Sequence, residues 1–181
     1  MDIISHGLWA VAAGKGAQVE SMNRLNLRWV FFWGMFPDLF AFLPTFIIRA
    51  FSWFMGGRFF NQPPNMYEPW TPGFETLSNF TQLLYQLSHS LFAFLFVALL
   101  ILFTYKRVLW IMLGWPLHIL ADIPTHSSIF YQTPAFWPLF NWKFDGFQWG
   151  VGHFTLYNYI ALVGTFALLY AVTIWRRKKL A

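Results

Sequence analysis

Residues 114–126 read GWPLHILADIPTH, an apolar run that holds His118 and Asp122 one helical turn apart. Side chains four positions apart lie about 6 Å from each other on one face of an α-helix, so this imidazole and this carboxylate can converge on a single cation. Pro124 lacks a backbone donor and disfavours helical geometry at the residue before it, so we expect the helix to end near Asp122. His126 then belongs to the segment that leaves the helix.

The composition around this stretch is typical of an integral membrane protein. Hydrophobic residues make up 57% of the 181 residues, and charged residues only 10%, whereas about 25% of a soluble domain is charged. Cysteine is absent, so a metal site must use His, Asp, Glu or water. The net charge of +5 comes from short basic clusters beside apolar segments, which indicates membrane topology and not nucleic-acid binding.

The apolar segments predict an all-α fold, a single membrane-embedded domain over residues 1–181 with about four transmembrane helices. Residues 1–13 are too few for a span, which takes roughly 20 residues, and predict a short N-terminal helix. The predicted spans are residues 29–48, 83–103, 108–123 and 154–175.

Two features interrupt this pattern. Pro37 and Pro44 are expected to break the first span. Residues 56–82 are polar and proline-rich and predict a loop, while the aromatic residues within 130–152 suit a segment at the membrane interface.

Basic residues flank the predicted spans unequally. Nine lie on one side and two in the connecting segments on the other, which places both termini in the cytoplasm of a multi-pass protein of the inner (plasma) membrane. The nine are Lys15, Arg24, Arg28, Lys106, Arg107 and residues 176–179, and the two are Arg58 and Lys143.

The same topology sets four polar residues at a similar depth. With a rise of about 1.5 Å per residue, Asp38, His89, His118 and Asp122 fall roughly 14 to 21 Å from the cytoplasmic face of a hydrocarbon core about 30 Å thick. A charged side chain there costs about 2.5–3.5 kcal/mol on insertion scales, so we expect these residues to face one another. His6 joins them only if the N-terminal segment folds back into the bundle.

A divalent cation explains such a cluster, because two carboxylates neutralise it in a medium of low dielectric constant. Each residue also has a structural alternative. His89 can donate to a backbone carbonyl of another helix, and His118 with Asp122 can form a structural pair. Asp38 can cap the second half of a broken helix, and His6 can be an ordinary interfacial histidine.

Four short motifs occur along the chain: SHG at 5–7, FPD at 36–38, SHS at 88–90 and HxxxDxxTH at 118–126. In this order, and over residues 6 to about 140, they resemble the family of membrane-bound metal-dependent hydrolases typified by YdjM, which is similar in motif to zinc-dependent phospholipase C. After the Pro-Asp element the chain has Leu-Phe-Ala where the family usually has acidic and histidine residues. The resemblance implies a divalent metal, Zn²⁺ or else Mn²⁺, with the candidate ligands His6, Asp38, His89, His118 and Asp122.

Two classes of function follow. The first is a membrane-embedded hydrolase that acts on a phosphoester or ester, derived from a membrane lipid such as a phospholipid, with Asp38 or Asp122 as general base. The second is a non-enzymatic protein in which the cluster forms a proton or metal-ion path, although no inverted repeat is evident. His126 and His153 flank an exposed segment and are expected to support the ligands or to face solvent.

The charge asymmetry predicts the compartments of two positions. Reporter domains fused after residue 181 and inserted at residue 68 should report opposite sides of the membrane, with residue 181 cytoplasmic. A reporter that gives the same compartment at both positions would contradict the predicted topology and the depth estimates that depend on it.

Overall fold

The computed structural model describes residues 1–21, 25–55, 72–106, 109–129 and 131–180. Helices make up the regular structure of these residues, as predicted. They are α1 (Ile3–Ser21), α2 (Leu27–Phe54), α3 (Pro72–Ser88), α4 (Leu91–Tyr105), α5 (Gly114–Thr125) and α6 (Phe154–Leu180), with a 3₁₀ turn at Trp110–Leu113 before α5.

Two helices are long and apolar enough to cross a membrane, Leu27–Phe54 and Phe154–Lys179. A third span results if Leu77–Ser88 and Leu91–Tyr105, which meet at a bend of 61°, are counted together. The 3₁₀ turn and α5 together rise about 26 Å, less than a hydrocarbon core of about 30 Å. The predicted count of four spans is therefore not confirmed.

Helix α2 is the centre of the bundle, since it packs against α1, α3 and α5. Its buried residues form one stripe with helical spacing: Val30, Gly34, Pro37, Asp38 and Ala41. The break expected at the two prolines is wrong, because α2 runs through both of them. Within a membrane bundle, neighbouring helices can satisfy the backbone groups that a proline leaves free, so Asp38 lies in mid-helix and caps nothing.

The bundle exposes apolar side chains and buries polar ones. No residue of α4 is buried, and α6 presents large apolar side chains such as Leu156, Ile160 and Leu168 to its surroundings. The fully buried side chains include those of His89, His118 and Asp122. This distribution suits a protein whose solvent is lipid, where an exposed polar group is costly.

Helices α1, α2 and α5 approach closely at two glycines. A Cβ atom on Gly34 would lie 2.7 Å from Ala10 Cβ and 2.9 Å from the His6 carbonyl oxygen. A Cβ atom on Gly114 would lie 2.7 Å from the Gly34 nitrogen and 2.8 Å from the Val30 oxygen. Only hydrogen at these positions allows the backbones to meet, which brings His6 of α1 and the polar residues of α5 to the same stretch of α2.

Two predicted boundaries are corrected. The loop predicted over residues 56–82 is helical from Pro72 onward, because proline suits the first position of a helix, where its missing N–H has no partner in any case. Residues 56–71 lie outside the described residues. Helix α5 continues to Thr125, past the expected end at Asp122, and the His126 N–H closes its last turn by donating to the Asp122 carbonyl oxygen at 3.0 Å.

The close approach at Gly34 predicts a loss of stability on substitution. Gly34→Ala should lower the free energy of unfolding by about 1–3 kcal/mol, because the added methyl group overlaps α1. Gly164→Ala is the matched control, since a Cβ there meets nothing within 4 Å. Thermal unfolding in detergent measures both, and an unchanged midpoint for Gly34→Ala would contradict this packing.

Candidate metal centre

Four buried side chains from three parts of the fold meet in one group. Asp38 comes from α2, His89 from the break between α3 and α4, and His118 and Asp122 from α5. One ligand atom from each lies within 4.8 Å of the others. The structure thus brings together the four residues to which the sequence assigned a common depth, and this group could hold a metal ion.

The spacing of these atoms suits four ligands around one cation. His118 Nε2 lies 3.2 Å from His89 Nε2 and 3.1 Å from Asp122 Oδ2, and His89 Nε2 lies 3.4 Å from Asp122 Oδ2. Asp38 Oδ1 lies 3.5 Å from His89 Nε2 and 3.7 Å from His118 Nε2. Ligand atoms around a tetrahedral zinc, with bonds of about 2.0–2.1 Å, are separated by about 3.3 Å. Five of the six edges of such a tetrahedron are therefore close to the required length.

The second ring nitrogen of each histidine fixes which nitrogen faces the group. His118 Nδ1 lies 2.7 Å from the Gly34 carbonyl oxygen, and His89 Nδ1 lies 3.2 Å from the Tyr85 carbonyl oxygen. A carbonyl only accepts, so His118 Nδ1 carries the proton and donates, whereas His89 Nδ1 also lies 2.9 Å from the Ser88 hydroxyl oxygen, which can donate or accept. In a neutral His118 ring the Nε2 lone pair then points at His89 Nε2 and at carboxylate oxygens.

A positive charge at the centre would stabilise this cluster of hydrogen-bond acceptors. Asp122 Oδ2 is buried and accepts no hydrogen bond from the described residues, although His118 Nε2 and His89 Nε2 both lie within 3.4 Å of it. A buried carboxylate oxygen without a donor costs free energy. A cation bound between these four atoms would remove that cost, so the residues present could hold a metal ion.

The other oxygen of Asp122 faces a second set of groups. Asp122 Oδ1 lies 2.8 Å from His6 Nε2, 3.3 Å from His126 Nε2 and 2.9 Å from the Met1 nitrogen. The His6 contact is short, yet neither ring nitrogen of His6 has hydrogen-bond geometry to any described group. Its ring stacks on that of His118, with centroids 3.7 Å apart. Helix α1 folds back into the bundle, which is the condition under which His6 was expected to join the cluster.

Tyr85 supports the group from α3, and no sequence pattern indicated this role beyond its place in an apolar span. Its ring stacks on the ring of His89 with centroids 3.8 Å apart. Its hydroxyl group donates to the Tyr131 carbonyl oxygen at 2.8 Å and lies 3.0 Å from His126 Nδ1. Tyr85 therefore links one candidate ligand to the histidine on the far side of Asp122.

The two remaining histidines differ in their surroundings. His126 is buried beside Asp122, the first of the two expected alternatives, whereas His153 is exposed, the second. Burial lowers the pKa of His126, and the neighbouring Asp122 carboxylate opposes this only in part. The His126 ring is thus mainly neutral at pH 7.

No family model matches the chain, and neither the curated proteins nor the solved structures contain a significant match to it.

Tyr85 should affect metal affinity through its ring more than through its hydroxyl group. Tyr85→Leu removes the stack that holds His89 and should weaken metal binding about 10- to 100-fold, the usual effect of a supporting residue. Tyr85→Phe keeps the ring and should weaken binding less. Tyr157→Leu, at an exposed position of α6, is the control. Metal titration of the folded variants measures this, and equal affinities for Tyr85→Leu and wild type would contradict the role of Tyr85.

Proposed function

We propose that this chain is a membrane-embedded, metal-dependent hydrolase that acts on a phosphoester or carboxylic ester derived from a membrane lipid. The observation that carries the proposal is the near-tetrahedral spacing of two imidazole nitrogens and two carboxylate oxygens around a buried point. A divalent cation held there supplies a Lewis acid, which polarises an ester oxygen and lowers the pKa of water to about 7.

Zinc is the metal that this ligand set supports best. Two imidazoles and two carboxylates are common zinc ligands, and the spacing suits four-coordinate geometry. Manganese prefers more oxygen ligands in an octahedral arrangement, so Mn²⁺ is the second choice. The two carboxylates also balance the charge of one divalent cation.

The two aspartates are proposed to have different roles. Both oxygens of Asp122 face other groups of the centre, and its side chain has no exposed surface. Asp122 is therefore assigned as a ligand. Asp38 retains 4% exposure and contacts the histidines through Oδ1. Because a catalytic zinc keeps one of its four positions for water, we assign His89, His118 and Asp122 as the zinc ligands and Asp38, beside that position, as the general base.

The proposed location is the inner (plasma) membrane, with several spans and a cytoplasmic C-terminus, whereas the Met1 nitrogen lies beside the metal centre, 2.9 Å from Asp122 Oδ1 and 3.2 Å from Thr125 Oγ1. The candidate spans and the basic residues near Lys106 and within 176–179 support this orientation. The break at His89 and the end of α5 then lie toward the opposite face, the side from which a lipid substrate of the outer leaflet would reach the centre.

Removal of Asp122 should release the metal. In Asp122→Asn the cation loses a charged ligand, and the nearby buried histidines lose the carboxylate that they surround. We expect metal affinity to fall by more than the roughly 100-fold that loss of a supporting residue can cause. Metal content of purified protein, measured by mass spectrometry, tests this, with exposed His153→Ala as the matched histidine control.

Activity is tested on the same preparations. Zinc-loaded protein is offered phosphodiester, phospholipid and carboxylester substrates, with Asp122→Asn and a chelator as controls. Turnover that depends on zinc and is lost in Asp122→Asn supports the hydrolase. Metal content and turnover that survive Asp122→Asn would refute it, and bound metal without turnover of any substrate would favour an ion path.

A further inference from the structure

Residues 134–147 form an irregular segment with an apolar surface. The segment has neither helix nor strand, yet Leu139 is 64% exposed, Phe140 62% and Phe147 74%. Irregular backbone leaves N–H and C=O groups that hydrocarbon cannot satisfy, while these side chains are unfavourable in water. The membrane–water interface satisfies both requirements, so the segment belongs at the level of the lipid headgroups.

Backbone contacts fix this segment to the elements that frame the metal centre. The Leu91 N–H donates to the Ala135 carbonyl oxygen at 2.9 Å, and the Ser90 hydroxyl donates to the carbonyl oxygen of Trp137. At the other end, the Gly146 N–H donates to the His126 carbonyl oxygen at 2.8 Å. The depth of the segment in the membrane is thus tied to the break between α3 and α4.

A cavity of about 170 Å³ lies between this segment and α3. Its lining combines three aromatic rings with two amides and one ammonium group, together with Pro134. The aromatic residues are Trp137, Phe140 and Trp142, and the polar residues are Gln86, Asn141 and Lys143.

The charge of Lys143 has no counterpart within the described part of the chain. None of the ion pairs among the described residues involves Lys143. Asp145 is two residues away, but its carboxylate already accepts from the Ser128 N–H at 2.6 Å and from the Ser128 hydroxyl group. A positive charge beside amide donors at headgroup level is complementary to an anionic phosphate.

We propose that this cavity binds the phosphate-bearing headgroup of a phospholipid from the surrounding bilayer. The Lys143 ammonium group and the side-chain amides of Gln86 and Asn141 bind the phosphate oxygens, and the tryptophan rings cover the glycerol carbons. The volume corresponds to roughly six water molecules, which is enough for the headgroup, while the acyl chains remain in the membrane. This site goes beyond the proposed hydrolase, because it binds lipid whether or not the metal centre is catalytic.

Native mass spectrometry of the full chain in detergent tests the site with two lipids. Dioleoyl phosphatidylglycerol carries the phosphate, and dioleoylglycerol has the same chains without it. We expect one saturable phosphatidylglycerol site and binding of dioleoylglycerol at least about tenfold weaker, since the charged hydrogen bonds are lost. Equal binding of the two lipids would overturn the proposal.

Variants separate the cavity from general attraction to positive charge. Lys143→Gln should weaken phosphatidylglycerol binding about tenfold, and Gln86→Leu should weaken it less. Lys178→Gln removes the same charge from the exposed end of α6 and should leave affinity within about twofold of wild type. Wild-type affinity in Lys143→Gln, or an equal loss in Lys178→Gln, would overturn the site.

A competition experiment distinguishes a membrane lipid from a soluble phosphate ester as the source of the phosphate. Soluble glycerol 3-phosphate is added as a competitor, and we expect little displacement of bound phosphatidylglycerol, because the soluble molecule lacks chains that hold it at the interface. Displacement at similar concentrations would overturn a membrane lipid as the occupant in favour of a free phosphate ester.

Discussion

Asp122 carries a carboxylate with no exposed surface in a bundle whose exterior is apolar, and the need to compensate this charge organises the surrounding packing. An uncompensated ion in a medium of low dielectric constant is so unfavourable that it would take up a proton or find a partner. The Met1 ammonium group lies 2.9 Å from its Oδ1, and imidazoles from α1, α5 and the break between α3 and α4 converge on both oxygens around the point where a cation could be held. The fold is thus arranged around one side chain that none of its helices could bury alone.

Close backbone contact makes this convergence possible. Gly34 lets α1 and α5 approach α2 on adjacent faces, and its carbonyl oxygen accepts from His118 Nδ1 at 2.7 Å. Gly34 therefore determines how closely α1 and α5 approach α2, and its carbonyl oxygen determines which ring nitrogen of His118 carries the proton. A side chain at this position would disturb both, so packing and site chemistry cannot be varied independently here.

The sequence predicted those parts of the centre that depend on local geometry. Helical spacing predicted that His118 and Asp122 lie side by side. The estimated depth in the membrane predicted that Asp38 and His89 lie level with them, because the rise per residue is nearly constant in a membrane helix. The continuity of α2 through Pro37 was missed, since it depends on neighbouring helices that satisfy the backbone.

The contacts of Tyr85 and His126 were missed for a related reason. These residues are 41 positions apart in the chain, and they meet only because α3 and the segment after α5 pack on the same side of Asp122. No sequence pattern around Tyr85 or His126 indicates that the two side chains are in contact. Pro124 also suggested that α5 ends near Asp122, whereas the helix accommodates the proline in its last turn and continues to Thr125, with His126 buried after it.

The buried polar side chains around the centre extend toward only one face of the bundle. Within the described residues, Thr81, Thr125 and Thr133 are buried; Thr125 follows Asp122 at the end of α5, and Thr133 directly precedes the irregular segment at 134–147. Toward the opposite side, which carries Lys106, the buried positions are apolar, as at Ala12, Val30 and Met112. A proton or ion path needs polar groups that continue to both faces. A centre that polar groups connect to one face only suits a substrate that enters and products that leave on the same side, which supports the proposed hydrolase over the alternative ion path.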